Sequence, residues 1–587
     1  MEDHQLGCLQ RTAIKVAVYG LVFVQYHKAS KLSRQKMKKK IYFWSPVPVH
    51  HFTQEDHPYA QLENNYSSMF IATGFAYLNS YLRRNRNDLY EQVEWCQIDF
   101  LSRSADNLFS RLIQDQIDLL LVSVYIWNAE EIISVLKTLH PRLKDKVVVV
   151  AGGPSVDPQR DKQYLDRHYY FDYAVYGPGE VAFTNILDLV LNHRQLSLLN
   201  SRNLAWRSEK GNKIADYEFV RDPHCSPILD SEHLFEKIKN NSDYQNYRLV
   251  LPYETSKGCP YKCSFCDWGS GLSHKVYHRK WSWEDELDFL GRIGITDMHL
   301  ADANFGMHKQ DWEIVRTLAR LKKNKGYNFL LHTVHFSKLN KTEVMALADF
   351  LYKENLYLSS KFSLQDTNPN VLAHIDRPDI PWAEHKTLIE KLCKANPTMV
   401  PRVEIIQGLP GQTRATWEQT LLDIADYYNV IFPWFMLPNS PGASTDYRKN
   451  KKIKTIKSIC QVTGSVTEIV IETLSYNFDD YCYFTILAIV AGHPLLQMRG
   501  PQVKQQFFDL VKSHTDLDST IQKIKVSLQT AMQANHDKNH VHMITGSFLD
   551  AVVKSNRNQL DINFVKQWVL RKYKYKTQFT GDIDHAT

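Results

Sequence analysis

The 587-residue sequence predicts an α/β protein in three parts: an amino-terminal doubly wound sheet, a partial barrel of six β/α units, and a mainly helical carboxyl-terminal domain. Three observations predict this. From Lys40 the chain alternates short, near-continuous apolar runs with amphipathic stretches, as parallel strands do when helices cover both faces of their sheet. A second alternation of six units begins at Arg248, with polar, glycine-bearing or cysteine-bearing segments after its strands. Beyond residue 450 the apolar spacing becomes helical.

In the first part the strand-like runs are Ile41 to Ser45, Val93 to Asp99, Asp118 to Ile126, Val147 to Ala151 and Asp172 to Tyr176. Helical patterns fill the gaps at Tyr66 to Arg84, Ala105 to Gln114, Ala129 to Leu139 and Glu180 to Leu191. Ligands of such sheets bind outside the carboxyl ends of the strands. Three loops fall there, carrying Ser123, Tyr125, Trp127 and Asn128, then Gly152, Gly153 and Pro154, then Gly177, Gly179 and Glu180. Glycine lets backbone approach a ligand closely, although a Gly-Gly pair after a strand also makes a simple tight turn. Three such loops on successive strands predict a site for a large ligand.

A hairpin-like segment at Asn203 to Tyr217 and a linker over residues 216–246 lead to the second alternation. Its strands are expected at Arg248 to Tyr253, Ile295 to Leu300, Phe329 to Val334, Leu356 to Leu364, Arg402 to Ile406 and Ile431 to Leu437. In a parallel barrel the chemistry gathers at the carboxyl-terminal rim. The rim here carries Cys259, Cys263 and Cys266, then Asp302 and Asn304, then His335, then Ser363 and Gln365, then Gln407 to Gly411, then Asn439 to Pro441. Ser363 and Gln365 lie two apart and share a strand face; Asp302 and Asn304 serve either a ligand or the N-cap of the next helix. In the third part helices are expected at Lys454 to Thr463, Ser465 to Tyr476, Asp480 to Ala491, Val503 to Ser513, Leu517 to Ala534, Met543 to Lys554 and Asn563 to Tyr573.

Composition sets broad limits. A chain that is 43% hydrophobic and 23% charged, with net charge +7, is ordinary for a globular protein and gives no argument for nucleic acid. The apolar runs Val16 to Val24 and Phe484 to Ala491 are too short to span a membrane. The first of them imitates a signal peptide; residues 1–36 otherwise read as an extension ahead of a natural start at Met37. Six of the nine cysteines are scattered, which fits a reducing, cytoplasmic setting rather than a disulfide framework.

The other three say most. Cys259, Cys263 and Cys266 stand in ETSKGCPYKCSFCDWG with three and then two residues between them. Three thiolates on one loop can hold three irons of a 4Fe-4S cluster and leave the fourth iron open to another ligand. A structural zinc site in a nucleic-acid-binding knuckle is the competing reading, but it needs a fourth ligand, for which only His274 and His278 lie near.

With Phe265 just ahead of the last cysteine, this spacing resembles the signature of the radical S-adenosylmethionine (radical SAM) enzymes. The resemblance implies that the open iron chelates S-adenosylmethionine and that reduction yields a 5'-deoxyadenosyl radical. It also implies a TIM-like core over residues 247–450, with Phe265, Asp302, Asn304, Ser363, Gln365 and Arg377 near S-adenosylmethionine. GGPS and GPGE strand-end loops ahead of such cysteines resemble the Rossmann-like cobalamin-binding domain of the cobalamin-dependent branch, here residues 37–215. One departure is that no D-x-H-x-x-G histidine is present to ligate cobalt, which leaves Tyr125 or Trp127 to cover the lower face of the corrin or simply to pack. The resemblance implies a methyltransferase acting at an unactivated carbon of a peptide or small molecule, most like the peptide C-methyltransferases of natural-product maturation. A radical cyclase or rearrangement enzyme without methyl transfer is the alternative. It further implies a low-potential electron donor such as flavodoxin or ferredoxin, and a domain over residues 451–587 that closes over the rim. No acid or base residue is needed for hydrogen abstraction, so no catalytic side chain is assigned.

Overall fold

Lysine and β-branched or aromatic residues make up the first described element, β1 (Lys39–Trp44), whose last four residues are buried. The structure, a computed structural model, describes residues 38–52, 66–125, 127–159, 161–193, 201–218, 226–266, 268, 276–279, 281–334, 336, 341–357, 361–397, 401–437, 440–459, 466–530, 539–561 and 564–566. Residues 1–36, His274, His335, Asn439 and the expected helix from Asn563 lie wholly or mostly outside these.

After β1 come β2 (Val49–Phe52), β3 (Tyr66–Phe70), β4 (Val93–Asp99), β5 (Leu119–Ser123), β6 (Val148–Gly152), β7 (Tyr173–Val175), β8 (Leu204–Ser208) and β9 (Gly211–Ile214). Seven of them form a sheet in the order β4-β1-β5-β6-β7-β8-β9. The first five strands of that order are parallel and the hairpin β8–β9 is antiparallel. The parallel order is that of a doubly wound sheet whose direction of growth reverses between β1 and β5, where a ligand crevice forms at the carboxyl ends. Strand β5, LLLVS, is buried throughout, as a central strand covered on both faces must be.

Strands β2 and β3 do not join that sheet. They lie at one edge of a second one, ordered β14-β13-β10-β3-β2, built on β10 (Arg248–Tyr253), β13 (Asp297–Leu300) and β14 (Leu330–Thr333). Between β10 and β13 a two-stranded ladder, β11 (Ser256–Lys257) with β12 (Tyr277–His278), brackets the cysteine loop. The barrel continues through β15 (Lys361–Gln365), β16 (Arg402–Gln407) and β17 (Tyr428–Pro433), all parallel. A single bridge from Leu331 to Tyr357 links the two arcs. All six predicted barrel strands are thus present. Tyr66–Phe70, expected to begin a helix, is instead a strand paired with Arg248–Val250, and the helix starts at Gly74. An available sheet edge outweighed local spacing.

The carboxyl-terminal part is mainly helical, but two of its expected helices are strands. β18 (Phe435–Met436), β19 (Lys454–Ile459) and β20 (Val466–Glu472) make an antiparallel sheet. The β-branched run in VTEIVIE favours an extended chain, and Ile456 and Ile469, paired across the hairpin, are both buried. Helices Phe478–Gly492, Pro501–Ser513, Leu517–Thr530 and Asn539–Ser555 follow. Among the described residues no helix is long and apolar enough to cross a membrane.

Lys504, on the second of these helices, is fully buried and its Nζ has no hydrogen-bonding partner. Burial pulls its pKa from 10.5 to about 8 against the opposing pull of Asp426. The folded chain then binds fewer protons than the unfolded one between about pH 8 and 10.5, so stability rises with pH across that window and is lowest below it. Lys504→Met is expected to stabilise the protein by roughly 2–4 kcal/mol at pH 7, with the gain shrinking as pH approaches 10. Urea unfolding of parent and variant at both pH values checks it.

Candidate functional site

The cysteine loop is held at both ends. At its start the Asp302 carboxylate, 2% exposed, accepts hydrogen bonds from the Thr255 amide (3.0 Å) and hydroxyl (2.7 Å) and from the Ser256 amide (2.6 Å) and hydroxyl (2.7 Å). Asp302 therefore anchors the loop from the end of β13. Near the other end the Cys266 amide donates to the Cys263 carbonyl at 3.1 Å, which folds the last two cysteines into one turn. Cys259 and Cys263 are buried and Cys266 is half-buried. Asn304 Nδ2 donates to Cys259 Sγ at 3.1 Å, and Asn304 Oδ1 is buried without a partner. Neither Asp302 nor Asn304 caps the following helix, Lys309–Lys325. His308 and Asp311 do that in a capping box. Burial, with Asp302 nearby, pushes the Asp311 carboxyl up to about 7.

Cys259, Phe265, Cys266 and Asp302 line a cavity of about 360 Å³ together with Ser363, Gln365 and Arg377. These seven share one cavity, whereas Cys263, Asn304 and the residues from Gln407 to Gly411 are not in its lining. Ser363 Oγ donates to Glu404 Oε2 at 2.8 Å across the β15–β16 pair, which fixes Glu404 on the same side as Ser363. Gln365 adopts φ +70°, an unusual conformation for a side-chain-bearing residue at a strand end. Arg377 donates to the Ser363 carbonyl and pairs with Asp379 at 3.0 Å, while Asp379 Oδ1 meets His385 Nε2 at 2.8 Å.

Sequence reasoning missed Lys361, His299 and His385, which line the same cavity, and Asp379 behind it. The parity that grouped Ser363 with Gln365 extends back to Lys361 and would have found it. Lys361 Nζ stands 3.8 Å from Glu404, and burial lowers its pKa. The Gly408-to-Thr413 turn is structural. Gln412 accepts from the Gly408 amide (2.7 Å) and donates to Asp366 (2.7 Å), whose carboxyl burial raises to about 6.

At the carboxyl edge of the first sheet, Asn128 is spent on the fold. Its Nδ2 donates to the Pro46 (3.0 Å) and Ser123 (3.1 Å) carbonyls and its Oδ1 accepts from the Tyr125 amide (2.7 Å), tying the loop after β5 to that after β1. Tyr125 and Trp127 stack with ring centroids 4.5 Å apart, and Trp127 is 44% exposed. Gly153 serves the protein's own packing: at φ +100° a Cβ there would stand 2.6 Å from the Val124 carbonyl oxygen. Gly177, at φ +66°, likewise abuts Tyr217. A Cβ at Gly152 meets nothing within 4 Å, so that edge is open. Glu180 Oε2 is buried without a hydrogen-bond partner, and burial raises its pKa.

These features fit the groups that the resemblance implies. A thiolate that accepts a hydrogen bond, in a three-cysteine loop at a barrel rim, suits an iron-sulfur cluster; a cavity with convergent polar groups suits a small charged cofactor; an open strand edge with an orphaned carboxylate oxygen and an exposed aromatic stack suits a large amide-bearing one. Among the described residues, no group of three or more His, Cys, Asp or Glu side chains converges as ligands of a single ion do.

The cysteine loop follows the first strand of a partial parallel barrel, and residues 253–424 match the Radical SAM superfamily model. More particularly, the chain is similar to the cobalamin-dependent radical SAM methyltransferase TokK of Streptomyces tokunonensis, 28% identical over 352 residues, covering 58% of this chain and 50% of that protein. It is also similar to 2-(S-pantetheinyl)-carbapenam-3-carboxylate methyltransferase of Streptantibioticus cattleyicolor, 25% identical over 409 residues, covering 64% and 57%. The chain thus spans about half the length of the curated relatives it matches. Its fold is shared with the cobalamin-dependent S-adenosylmethionine radical enzyme OxsB, solved with aqua-cobalamin and S-adenosylmethionine bound (TM-score 0.57, 13% identity, 94% of this chain and 81% of that one).

Proposed function

We propose that this chain is a cobalamin-dependent radical SAM methyltransferase acting at an unactivated carbon of a peptide or small molecule, in the cytoplasm, supplied with electrons by a flavodoxin or ferredoxin. The observation that carries the reading is the convergence of Cys259, Cys266, Ser363, Gln365 and Arg377 on one cavity. When bound, the cluster and S-adenosylmethionine supply radical chemistry and cobalamin supplies a transferable methyl group.

The chain's own residues bind and orient. Cys259, Cys263 and Cys266 would hold three irons, with Asn304 donating to the first sulfur and so helping to orient it. Gln365 and Arg377 present polar groups to the cavity, and Asp379 holds the Arg377 guanidinium in place. Phe265, Phe336 and Phe362 give the same space part of its apolar lining. Gly152, Glu180, Tyr125 and Trp127 would take the corrin on the other side, and no histidine of this chain is assigned to cobalt.

The optical spectrum of protein purified without oxygen tests the reading: broad iron-sulfur absorption with a separate cobalamin band is expected, and absence of the iron-sulfur absorption after reconstitution overturns it. Product mass then separates methyl transfer from rearrangement. For the corrin edge, Gly152→Val is expected to fold like the parent, since its Cβ enters open space. Overpacking against a ligand costs about 1–3 kcal/mol and weakens cobalamin retention roughly tenfold or more. Gly153→Val disturbs the fold whether or not cobalamin is present, which circular dichroism of the free chain reads.

A further inference from the structure

Ser264 lies between Cys263 and Phe265, is fully buried, and sends every polar group to a distant part of the chain. Its amide donates to the Ile375 carbonyl at 2.9 Å, its carbonyl accepts from the Gly442 amide at 2.8 Å, and its hydroxyl meets Tyr447 Oη at 2.8 Å. The Gly442 approach leaves no room for a side chain, since a Cβ there would stand 2.5 Å from the Ser264 carbonyl oxygen. Tyr447 Oη also donates to the His374 carbonyl at 2.7 Å. A tyrosine hydroxyl has one proton, and a carbonyl can only accept. The proton therefore goes to His374, and the Ser264 hydroxyl donates to Tyr447.

One hydroxyl thus joins two walls of the same cavity: the turn bearing Cys263 and Cys266, and the segment His374–Arg377 whose last residue lines the cavity. It belongs to the helix Thr445–Asn450, immediately ahead of the β19–β20 hairpin and the helices of the carboxyl-terminal part. Lys451, one residue past that helix, fastens the same segment through His374 Nδ1 at 2.8 Å.

We propose that Tyr447 is a positioning residue for the cysteine loop, setting the turn that carries Cys263 and Cys266 against the Arg377 wall. This rests on the cluster reading above. Its role is carried by the hydroxyl rather than the ring, because the ring packs in either case and only the oxygen reaches both Ser264 and His374. The contact also gives the carboxyl-terminal part a direct hold on the loop.

Tyr447→Phe keeps the ring and removes the oxygen, and Ser264→Ala removes the other end. Groups that orient metal ligands typically change metal affinity 10–100-fold. In either variant, iron is expected to leave to a chelator about tenfold faster than in the parent, S-adenosylmethionine to bind about tenfold more weakly, and the electron paramagnetic resonance of the reduced cluster to respond less to added S-adenosylmethionine. The double variant should match Tyr447→Phe, because Ser264→Ala removes one of the two bonds that Tyr447→Phe removes. Lys451→Met, which loosens the strap without touching Ser264, should leave the resonance spectrum of the reduced cluster as in the parent. A second arm needs no metal: in the apo chain, alkylation of Cys263, 1% exposed, followed residue by residue by mass spectrometry, should be about tenfold faster in Tyr447→Phe. A parent that takes up no cluster defeats the functional reading and leaves the alkylation arm to decide this one. Unchanged Cys263 alkylation, or unchanged iron retention with an unchanged spectrum, overturns the role given to Tyr447.

Discussion

Replacing Cys259, Cys263 or Cys266 by Ala is expected to remove essentially all iron and all S-adenosylmethionine cleavage while the chain stays folded. The barrel strands owe their stability to apolar packing, since Leu251, Met298, Leu331 and Val403 are each buried beneath the rim. The loop is pinned by Asp302 and Ser264 and does not need a metal to keep its place. Each cysteine would serve a different iron, so no thiolate can stand in for another. Cys393 is the control: it sits half-buried on the helix Trp382–Ala395, and burial raises its pKa, which keeps it a thiol. Cys393→Ala should keep full iron and activity. Iron analysis and circular dichroism check the set, and a loop variant with parental iron and activity removes that cysteine from the ligand assignment.

The second large effect is expected from Asp302→Ala. The substitution leaves the amides and hydroxyls of Thr255 and Ser256, both buried, without their acceptor. Leaving buried donors unpaired, or stripping a buried charge from its network, costs about 3–5 kcal/mol. The expected result is a fall in stability of that size by urea unfolding, with iron lost at the same time. Asp302→Asn grades the effect. It keeps the volume and the oxygen that accepts from the Ser256 amide, the Ser256 hydroxyl and the Thr255 hydroxyl, so stability should largely recover. Its amide nitrogen, in the place of Oδ2, cannot accept the 3.0 Å bond from the Thr255 amide, so iron should leave faster than in the parent but more slowly than in Asp302→Ala. Parental iron retention in Asp302→Ala would show that the loop holds its shape without this anchor.

The cysteine loop, the six barrel strands and the doubly wound sheet were legible because each has a local signal: fixed spacing, or an apolar run of strand length. Ser363 and Gln365 were legible through parity alone. What escaped depends on partners far along the chain. Asp302 reads as a cap or a ligand until Thr255 and Ser256 are seen beside it, and Gly153 reads as a ligand cradle until the Val124 backbone is seen against it. Tyr447 has no local signal, since its partner Ser264 lies 183 residues away. The β19–β20 hairpin escapes because the amphipathic spacing from Lys454 to Tyr476 imitates a helix, while the contrary sign is the β-branched run in Val466–Glu472.

Strands β2 and β3 depart from the amino-terminal sheet, β3 to pair with β10 and β2 to pair with β3, then the chain returns to finish the sheet it left. The two sheets are therefore stitched, not merely tethered. A chain cut after residue 215 would deprive β10 of its neighbour and leave a row of unpaired backbone groups beside the cysteine loop, a surface that recruits other strands. The amino-terminal half cannot be traded for another without rebuilding that seam.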